Sequence, residues 1–599
     1  MALSSESPSV AVAPARDWRP WAWSLGLALV ALALVAPPLF QSRLLYAHDL
    51  NHIPRVAFAH DALEHGMLSW RWLPAMARGY GYPLFSFYAP ASVWLSVLLW
   101  ELTGRFVLAH NLTVLCIMAL GWAAMWLWVR ARWSAFEAGP AALLYTLAPY
   151  HLLNTHVRGA MAEALALAIF PAVLWAIERA LQSRRKTWIA LAGLLWALLV
   201  LSHNLSALIL SVLALAYFGL TSLWERRAVP AVAGFGAFGL GVGLSAFFWL
   251  PAIAELGATQ IEWATVDYFQ YYNHFVHFHQ FFQTSWEWGA SVPGPDDSMS
   301  FQIGWVHVAV LLLSLTPCVF FRSRLAVRDR FWTAFWQIAA LAAVWLMMES
   351  SAAVWRAVPP LQMLQFPWRL LGIVTLAASV LIAPILRTTP GVFRWPTAGG
   401  IVLLALVAYQ PYTQPTYVRE TANAFERALS IPLLQANPEF FLSTGTSMQE
   451  YLPRTVREIP PKPPAAEYVA PPGLAVTGYT HRKNTYRFSA RASAPGRLVI
   501  NQFHFPAWRA TIGGRRVPLH AVPPYGTIGI DVPAGESRVE LWFGSTPWRT
   551  AGRVVSALTL LGILAVLGGG RLRRERRPET APAANAAPEE PGIPAHPTS

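Results

Sequence analysis

The sequence predicts an all-α polytopic membrane protein with a small antiparallel β-sandwich shortly before its last helix. Hydrophobic residues make up 55% of the chain and charged residues only 13%, whereas soluble domains carry roughly 25% charged residues. Apolar runs recur along the chain, several of them near the length of about 20 residues that crosses a bilayer. Close to the C-terminus the hydrophobic period changes from helical to alternating, which is typical of strands.

The apolar runs predict about twelve spanning helices. They lie near residues 21–40, 107–129, 138–150, 164–182, 188–202, 205–223, 229–253, 303–321, 331–348, 370–386, 395–411 and 551–570. The first run follows Arg16 and Arg19 and is longer than the apolar core of about 7–15 residues in a signal peptide. We therefore expect an uncleaved anchor.

The basic residues predict the orientation. The net charge of +14 is spread over short arginine clusters between apolar runs, which is not typical of nucleic-acid binding. The positive-inside rule places these clusters in the cytoplasm together with both termini, as expected for a multi-pass protein of a bacterial inner membrane. The clusters lie at 130–132, 179–186, 226–227, 322–330, 387–394 and 571–577.

Residues 88–102 are a further apolar segment that bears on this count. If they crossed the membrane, every later helix would reverse and several arginine clusters would face outward, against the positive-inside rule. The segment is also short for a span. We therefore predict an interfacial helix within the first periplasmic loop, residues 41–106.

The resulting organisation has six parts. They are a cytoplasmic tail (1–20), a transmembrane domain (21–411), a periplasmic linker region (412–472), a periplasmic β-sandwich (473–550), the last transmembrane helix (551–570) and a disordered cytoplasmic tail (571–599). Strands are predicted at Thr485–Ala490, Arg497–Phe505, Thr527–Val532 and Ser537–Phe543. Gly513-Gly514 is typical of a hairpin turn.

The first periplasmic loop opens with a candidate catalytic pair, His48 and Asp49. A carboxylate at the membrane interface is partly desolvated, which suits it to general-base work, and His48 could orient it or share a metal with it. A structural role for Asp49, as a helix cap or as the partner of Arg55, is an equal alternative on sequence alone.

The second periplasmic loop contributes His156, Arg158 and Glu163. Arginine binds phosphate in a bidentate manner, and ionisable residues at the start of a spanning helix are costly unless they are used. We predict Glu163 as a catalytic candidate and the other two as substrate contacts. The alternative is that Arg158 and Glu163 simply pair, although five residues is a poor helical spacing.

Four further residues are predicted to contact substrate. Tyr82 lies in a loop where glycines alternate with aromatic residues, and His203 ends a helix at cavity depth. Trp368 and Arg369 precede a helix at the level of a lipid phosphate, where interfacial anchoring is the alternative role. No metal ligands are predicted, because the histidines at 274, 277 and 279 lack a zinc-site spacing.

Several motifs resemble one family. They are Ala47–Asp49, Arg71–Pro74, Gly79–Tyr88, Arg158–Glu163, Phe366–Arg369, Glu450–Pro453 and Phe505–Arg509. Together they resemble bacterial membrane proteins labelled "6-pyruvoyl-tetrahydropterin synthase-related", although nothing in the sequence indicates pterin chemistry. That group is similar to the GT-C glycosyltransferase superfamily, near its YfhO-like branch.

The resemblance implies a GT-C-like fold and an inverting transfer of sugar from a polyprenyl-phosphate carrier to an envelope glycan, lipid or protein on the periplasmic side. It places Asp49 at the early acidic position of the first loop and Glu163 at the acidic position of the second. Many members carry paired acids where this chain has His48-Asp49. A divalent cation, magnesium or manganese, is therefore an open question.

Two other functions are compatible with the sequence. A transporter of lipid-linked glycans would carry paired ionisable residues at mid-membrane depth, whereas the interiors of the helices within 188–253 and 370–411 are almost purely apolar. A non-catalytic envelope-assembly protein on a GT-C scaffold would not need Asp49. The lipid bilayer is a predicted partner in every case.

Overall fold

The computed structural model describes residues 17–41, 43–49, 51–447 and 449–575. Within them a bundle of helices carries a β-sandwich, and a long helix follows the sandwich and returns to the bundle. The predicted terminal tails lie outside the described residues, apart from their innermost few positions.

Every predicted spanning segment coincides with helix. The bundle consists of Arg19–Val35, Phe106–Arg132, Ala135–Leu147, Met161–Ser183, Lys186–Ser202, Asn204–Glu225, Val229–Leu244, Ala246–Glu255, Trp305–Leu313, Leu315–Val319, Val327–Met347, Leu371–Val380, Ile382–Thr388, Gly391–Tyr409 and Pro547–Glu575. Shorter helices are Pro149–Leu152 and, on the connecting segments, His52–Glu64, Leu84–Phe87, Ala91–Thr103, Ala352–Ala357, Pro359–Gln362, Ala422–Ala428, Ile431–Ala436 and Phe440–Thr444.

Six of the described helices are long and apolar enough to cross a membrane, and eight if each of two bent pairs counts as one span. One bent pair, Val229–Leu244 with Ala246–Ala258, turns by 70°. The helix Ala135–Leu147 is short because it lies in the centre of the bundle, where all its residues are buried. The segment predicted to be interfacial forms the 13-residue helix Ala91–Thr103.

The arginine-rich connections meet at one end of the bundle. Arg132 contacts Asp329 at 3.0 Å and Glu178 at 3.8 Å, and Arg328 pairs with Glu225 at 2.8 Å. The segments predicted to be periplasmic meet at the other end. Along Met161–Ser183 the two ends are marked by Glu163 and Glu178, whose separation of fifteen residues corresponds to roughly 22 Å of helix.

The β-sandwich consists of two antiparallel sheets. Its strands are β1 (Tyr468–Val469), β2 (Leu474–Arg482), β3 (Thr485–Ala492), β4 (Gly496–Phe503), β5 (Trp508–Ile512), β6 (Arg515–Val517), β7 (His520–Val522), β8 (Thr527–Val532) and β9 (Gly535–Phe543). The sheet orders are β1-β4-β8-β7 and β2-β3-β9-β5-β6. Alternate residues of both sheets, such as Ile500 and Leu541, share one buried core.

The predicted hairpin is present. Ile512 pairs with Arg515 across Gly513-Gly514, whose φ values of 57° and 80° are those of a two-residue turn that needs positive φ at both positions. Trp508 is buried against Trp72 and Phe543.

The sandwich is fixed to the rest of the chain at two places. The indole of Trp72 donates to Gln502 Oε1 at 2.9 Å, and the N–H of Phe503 donates to the Tyr80 carbonyl at 2.6 Å. At the start of the last helix, Arg549 pairs with Glu255 at 2.7 Å, with both side chains buried. The bundle, the first loop and the sandwich therefore pack as one unit.

Candidate active site

A cavity of about 630 Å³ lies at the end of the bundle that carries the β-sandwich. Its lining contains seven of the nine predicted site residues: His48, Asp49, Arg158, Glu163, His203, Trp368 and Arg369. Apolar residues of the same lining include Ala252, Ile253, Leu256, Ile261, Ala264, Phe269, Met299, Met363 and Phe441. The cavity therefore offers charged and apolar surface to the same ligand.

Backbone hydrogen bonds join the first and second loops at the cavity wall. The N–H groups of His48 and Asp49 donate to the carbonyls of Val157 and Arg158, both at 2.9 Å. Gly159 has φ of +71°, and a Cβ atom there would lie 2.5 Å from the Cβ of Ala47. Only glycine permits this approach, so the local sequence sets the position of Asp49.

The Asp49 carboxylate is half-buried and lines the cavity. Its Oδ1 accepts a hydrogen bond from the N–H of Asn51 at 3.2 Å. Among the described residues, no basic side chain lies within the 4.0 Å of an ion pair with it, Arg55 included. The sequence alternative of an Asp49–Arg55 pair is thus wrong, and lone pairs of the carboxylate remain accessible from the cavity.

Glu163 is the centre of a buried charge cluster. Its carboxylate accepts a hydrogen bond from the Tyr150 hydroxyl and lies 3.2 Å from Arg158 Nη1 and 3.5 Å from Arg369 Nε. Two guanidinium groups share one carboxylate, which leaves an excess positive charge beside the cavity. Such a pair is suited to a phosphate group.

The pairing of Arg158 with Glu163 follows from a break in the helix. Leu153–Val157 forms a single π-turn, Gly159 has positive φ, and the next helix begins at Met161. The two side chains can therefore meet although five residues is a poor spacing within a helix. Trp368 packs its ring against the Arg158 guanidinium, with Cζ 4.3 Å from the ring centroid, so Trp368 also fixes the orientation of that group.

Two histidines whose pKa values are lowered line the cavity. Enclosure by the cavity wall, and then the charge of Arg158, lower the pKa of His48, although part of its ring is accessible. Burial lowers the pKa of His203 against the opposing effect of Glu163. Because His203 Nδ1 accepts from the N–H of Ser206 at 3.3 Å, the neutral ring carries its proton on Nε2.

The other two predicted contacts, Tyr82 and His156, do not line this cavity. The Tyr82 hydroxyl lies 3.0 Å from the Thr446 hydroxyl and accepts a hydrogen bond from the N–H of Tyr451 at 3.1 Å. Tyr82 therefore helps to hold Tyr451, which lines the cavity. His156 is buried in the bundle, with Nδ1 2.8 Å from the Thr155 hydroxyl.

Sequence reasoning missed Tyr150 as a partner of Glu163, and Arg55, Tyr88, Glu450 and Tyr451 as lining residues. For Tyr88, Glu450 and Tyr451 a signal existed, because all three lie in motifs that carried the family resemblance. Arg55 was considered only as a partner of Asp49. Nothing in the sequence marks Tyr150, which follows a proline at the start of a short helix.

The residues around Asp49 do not form a metal-binding group. Among the described residues, no three His, Cys, Asp or Glu side chains come close enough to hold a metal ion. Glu163 is occupied by Arg158 and Arg369, and His274 of the third loop bonds Ser291 at 2.8 Å. A role for a divalent cation, magnesium or manganese, stays a prediction from the sequence, since one carboxylate together with a substrate phosphate is a common set of ligands for such an ion.

Comparison with models of known protein families identifies the family of this chain. A profile described as "6-pyruvoyl-tetrahydropterin synthase related domain; membrane protein" matches residues 85–414, which is more than half of the sequence. The chain belongs to this family of membrane proteins. The match covers Arg158, Glu163, Trp368 and Arg369 and begins after Asp49. No curated protein sequence matches the chain.

Among solved structures, the chain is similar to ArnT from Cupriavidus metallidurans bound to undecaprenyl phosphate, with 14% identity, a TM-score of 0.39, and coverage of 71% of this chain and 78% of that one. It is similar to the arabinofuranosyltransferase AftD from Mycobacteria, with 14% identity, a TM-score of 0.42, and coverage of 67% and 27%. It is also similar to the Archaeoglobus fulgidus oligosaccharyltransferase, with 14% identity and a TM-score of 0.37. That match covers 69% of this chain and 58% of the other.

Proposed function

We propose that the protein is a membrane glycosyltransferase that moves a sugar from a polyprenyl-phosphate carrier to an acceptor hydroxyl. One observation carries this proposal: an accessible carboxylate, Asp49, and two arginines that share a single carboxylate lie in one cavity that also has apolar lining residues. A lipid-linked sugar phosphate needs all three surfaces. The GT-C resemblance of the sequence implies the early acidic position that Asp49 occupies.

In the proposed reaction the acceptor oxygen attacks the anomeric carbon while its proton passes to Asp49. The bond between that carbon and the phosphate oxygen breaks, and the polyprenyl phosphate leaves with the bonding electrons. With one carboxylate acting as base and no covalent intermediate, the single displacement inverts the anomeric centre. Proton, leaving group and charge are thereby balanced without another reactant.

Arg158 and Arg369 are assigned to the phosphate. Charge grows on the phosphate oxygens as the bond breaks, and fixed guanidinium groups stabilise that charge without reorganisation. Glu163 acts as a positioning residue in this scheme, because its carboxylate is saturated by Tyr150, Arg158 and Arg369. This role takes the place of the prediction from sequence that Glu163 is a catalytic residue. His203 Nε2–H and the Trp368 ring complete the polar wall.

We place the cavity on the periplasmic side of a bacterial inner membrane, with about twelve spans and both termini in the cytoplasm. The supporting observation is that the arginine-rich connections meet at the opposite end of the bundle from the cavity, as the positive-inside rule requires. The acceptor is an envelope glycan, lipid or protein. A cysteine-accessibility scan of both ends would test the orientation.

The deciding experiment complements a deletion strain with wild type or with Asp49→Asn. Envelope glycans and polyprenyl-linked sugars are profiled by mass spectrometry after both proteins are shown to accumulate equally. We expect the variant to lose one glycan and to accumulate the lipid-linked donor. A variant that matches wild type, in a background where the deletion does not, would instead indicate an assembly protein that works without this carboxylate.

A further inference from the structure

Arg55 is a third arginine of the cavity, on the helix His52–Glu64. Its side chain is only 7% exposed. Nε donates to the Gly445 carbonyl at 2.6 Å, and Cζ lies 3.9 Å from the centroid of the Tyr88 ring. These two contacts fix the plane of the guanidinium group.

The two terminal amino groups of Arg55 have no hydrogen-bond partner among the described residues, although solvent in the cavity can reach them. No described carboxylate lies within 4.0 Å of the group. Arg158 and Arg369 differ, because both contact Glu163. A nearly buried guanidinium without a direct ion-pair partner is costly, so its two amino groups are suited to an anionic ligand, although the carboxylates of Asp49 and Glu450 line the same cavity.

Neighbouring groups indicate what else this ligand carries. Asn51 is 6% exposed, its Nδ2 donates to the Ser447 hydroxyl at 2.7 Å, and its Oδ1 has no partner among the described residues. Tyr88 and Tyr451 line the same cavity. An amide oxygen and aromatic rings beside a guanidinium group are suited to a hydroxyl-bearing ring or chain with one acidic group.

We propose that Arg55, with Asn51 and Tyr88, forms a second anion-binding subsite in the cavity, separate from the Arg158–Arg369 pair, which takes the carboxylate or phosphate of a sugar or polyol. The guanidinium group presents its two free amino groups as a fork to that anion. This inference rests on the proposed function: the first pair holds the carrier phosphate, so the second anion belongs to the transferred sugar or to the acceptor.

The test uses the full-length protein in lipid nanodiscs and follows thermal unfolding by tryptophan fluorescence. The probes are undecaprenyl phosphate, glucuronate, glycerol 3-phosphate and neutral glucose. We expect glucuronate or glycerol 3-phosphate to raise the unfolding temperature and glucose to have no effect. A response to glucuronate assigns the charge to a sugar carboxylate, and a response to glycerol 3-phosphate assigns it to a phosphate-bearing group.

Arg55→Gln should weaken binding of the anionic probe by at least about tenfold, the loss expected for charge-assisted hydrogen bonds, and should leave undecaprenyl phosphate binding nearly unchanged. Arg158→Gln should show the reverse pattern. Arg454→Gln is the matched control, because Arg454 is an exposed arginine paired with Glu262 at 2.9 Å. An unchanged anion response in Arg55→Gln, or an equal response to glucose, would overturn the proposal.

If Arg55→Gln does not fold, Arg55→Lys keeps the charge without the fork and should bind the anion with intermediate affinity. A further measurement uses the wild-type protein alone. At saturating undecaprenyl phosphate, glucuronate or glycerol 3-phosphate should bind with unchanged affinity. Competition between undecaprenyl phosphate and the anionic probe would refute two separate subsites. Absence of undecaprenyl phosphate binding counts against the proposed function. If undecaprenyl phosphate binds but neither glucuronate nor glycerol 3-phosphate does, the result counts against this inference alone.

Discussion

The main-chain N–H of Asp49 donates a hydrogen bond of 2.9 Å to the carbonyl oxygen of Arg158. This backbone contact joins two loops that are more than 100 residues apart in sequence. It places the candidate base, Asp49, directly beside the candidate phosphate ligand, Arg158. The distance between their side chains depends on this backbone contact and on the glycine that follows Arg158.

Gly159→Ala should therefore impair the site while the bundle still forms. The new methyl group meets Ala47 at 2.5 Å and the Asp49 carbonyl at 3.1 Å, so the loops must separate. We expect loss of glycan transfer and about tenfold weaker undecaprenyl phosphate binding in the nanodisc assay. Gly104→Ala is the control, because Gly104 also has positive φ, +65°, but has open space around its Cβ position. Equal effects of the two substitutions would contradict the loop-contact explanation.

Glu163→Gln should lower both stability and phosphate affinity. Removing the carboxylate leaves Arg158 and Arg369 without their shared counter-charge, which costs about 3 kcal/mol for a buried pair. Glu137→Gln is a matched control at the other end of the bundle, where buried Glu137 pairs with Arg394. We expect both variants to unfold at lower temperature, but only Glu163→Gln to lose undecaprenyl phosphate binding. Retained binding in Glu163→Gln would contradict the positioning role.

Trp368→Leu should weaken phosphate binding by about two- to thirtyfold, because the Arg158 guanidinium loses the ring that lies 4.3 Å away and a contact of this kind contributes about 0.5–2 kcal/mol. Trp188→Leu removes a comparable ring from Arg179 at 5.4 Å, outside the cavity. Undecaprenyl phosphate titrations of the two variants compare them directly. A Trp188→Leu effect as large as that of Trp368→Leu would indicate a general loss of stability.

Acidification should destabilise the protein through His52. Burial, followed by the neighbouring His110 and Arg55, lowers the pKa of His52 well below 6.5, so the folded state binds fewer protons than the unfolded state. The stabilisation is present well above pH 6.5 and is lost progressively as the pH falls through and below this value.

His52→Gln should reduce the drop in unfolding temperature between pH 7.5 and 5.5, since a glutamine side chain does not titrate. His65→Gln should leave the drop intact, because His65 is exposed on the same segment. If both variants keep the wild-type pH dependence, another group is responsible for it.

Much of the fold could be predicted because apolar periodicity is a local signal. All four strands predicted from alternation are present, with the final pair at Thr527–Val532 and Gly535–Phe543. The strand Leu474–Arg482 was missed because a bulge between Thr477 and Thr480 interrupts its alternation and most of its residues are not buried.

The site was only partly predictable, since the type of a residue indicates its possible chemistry but not whether its side chain lines the cavity. Tyr82 and His156 have suitable side chains, yet neither lines the cavity. The Tyr82 hydroxyl lies beside the Thr446 hydroxyl, and the His156 ring is buried beside Thr155. Arg55 was overlooked because its distance of six residues from Asp49 suggested a local partner. In the structure its partners are Tyr88 and the carbonyl of Gly445, a residue 390 positions away.

The buried pair of Glu255 and Arg549 has a consequence for protein engineering. Glu255 ends the helix that supplies Ala252 and Ile253 to the cavity, and Arg549 begins the helix that follows the β-sandwich. A chimera that exchanges the sandwich together with its outgoing helix between family members separates these two charges. A β-sandwich that is transplanted into another family member should therefore be transplanted together with residues 246–255. The outer domain and this part of the cavity lining thus form a single exchangeable unit.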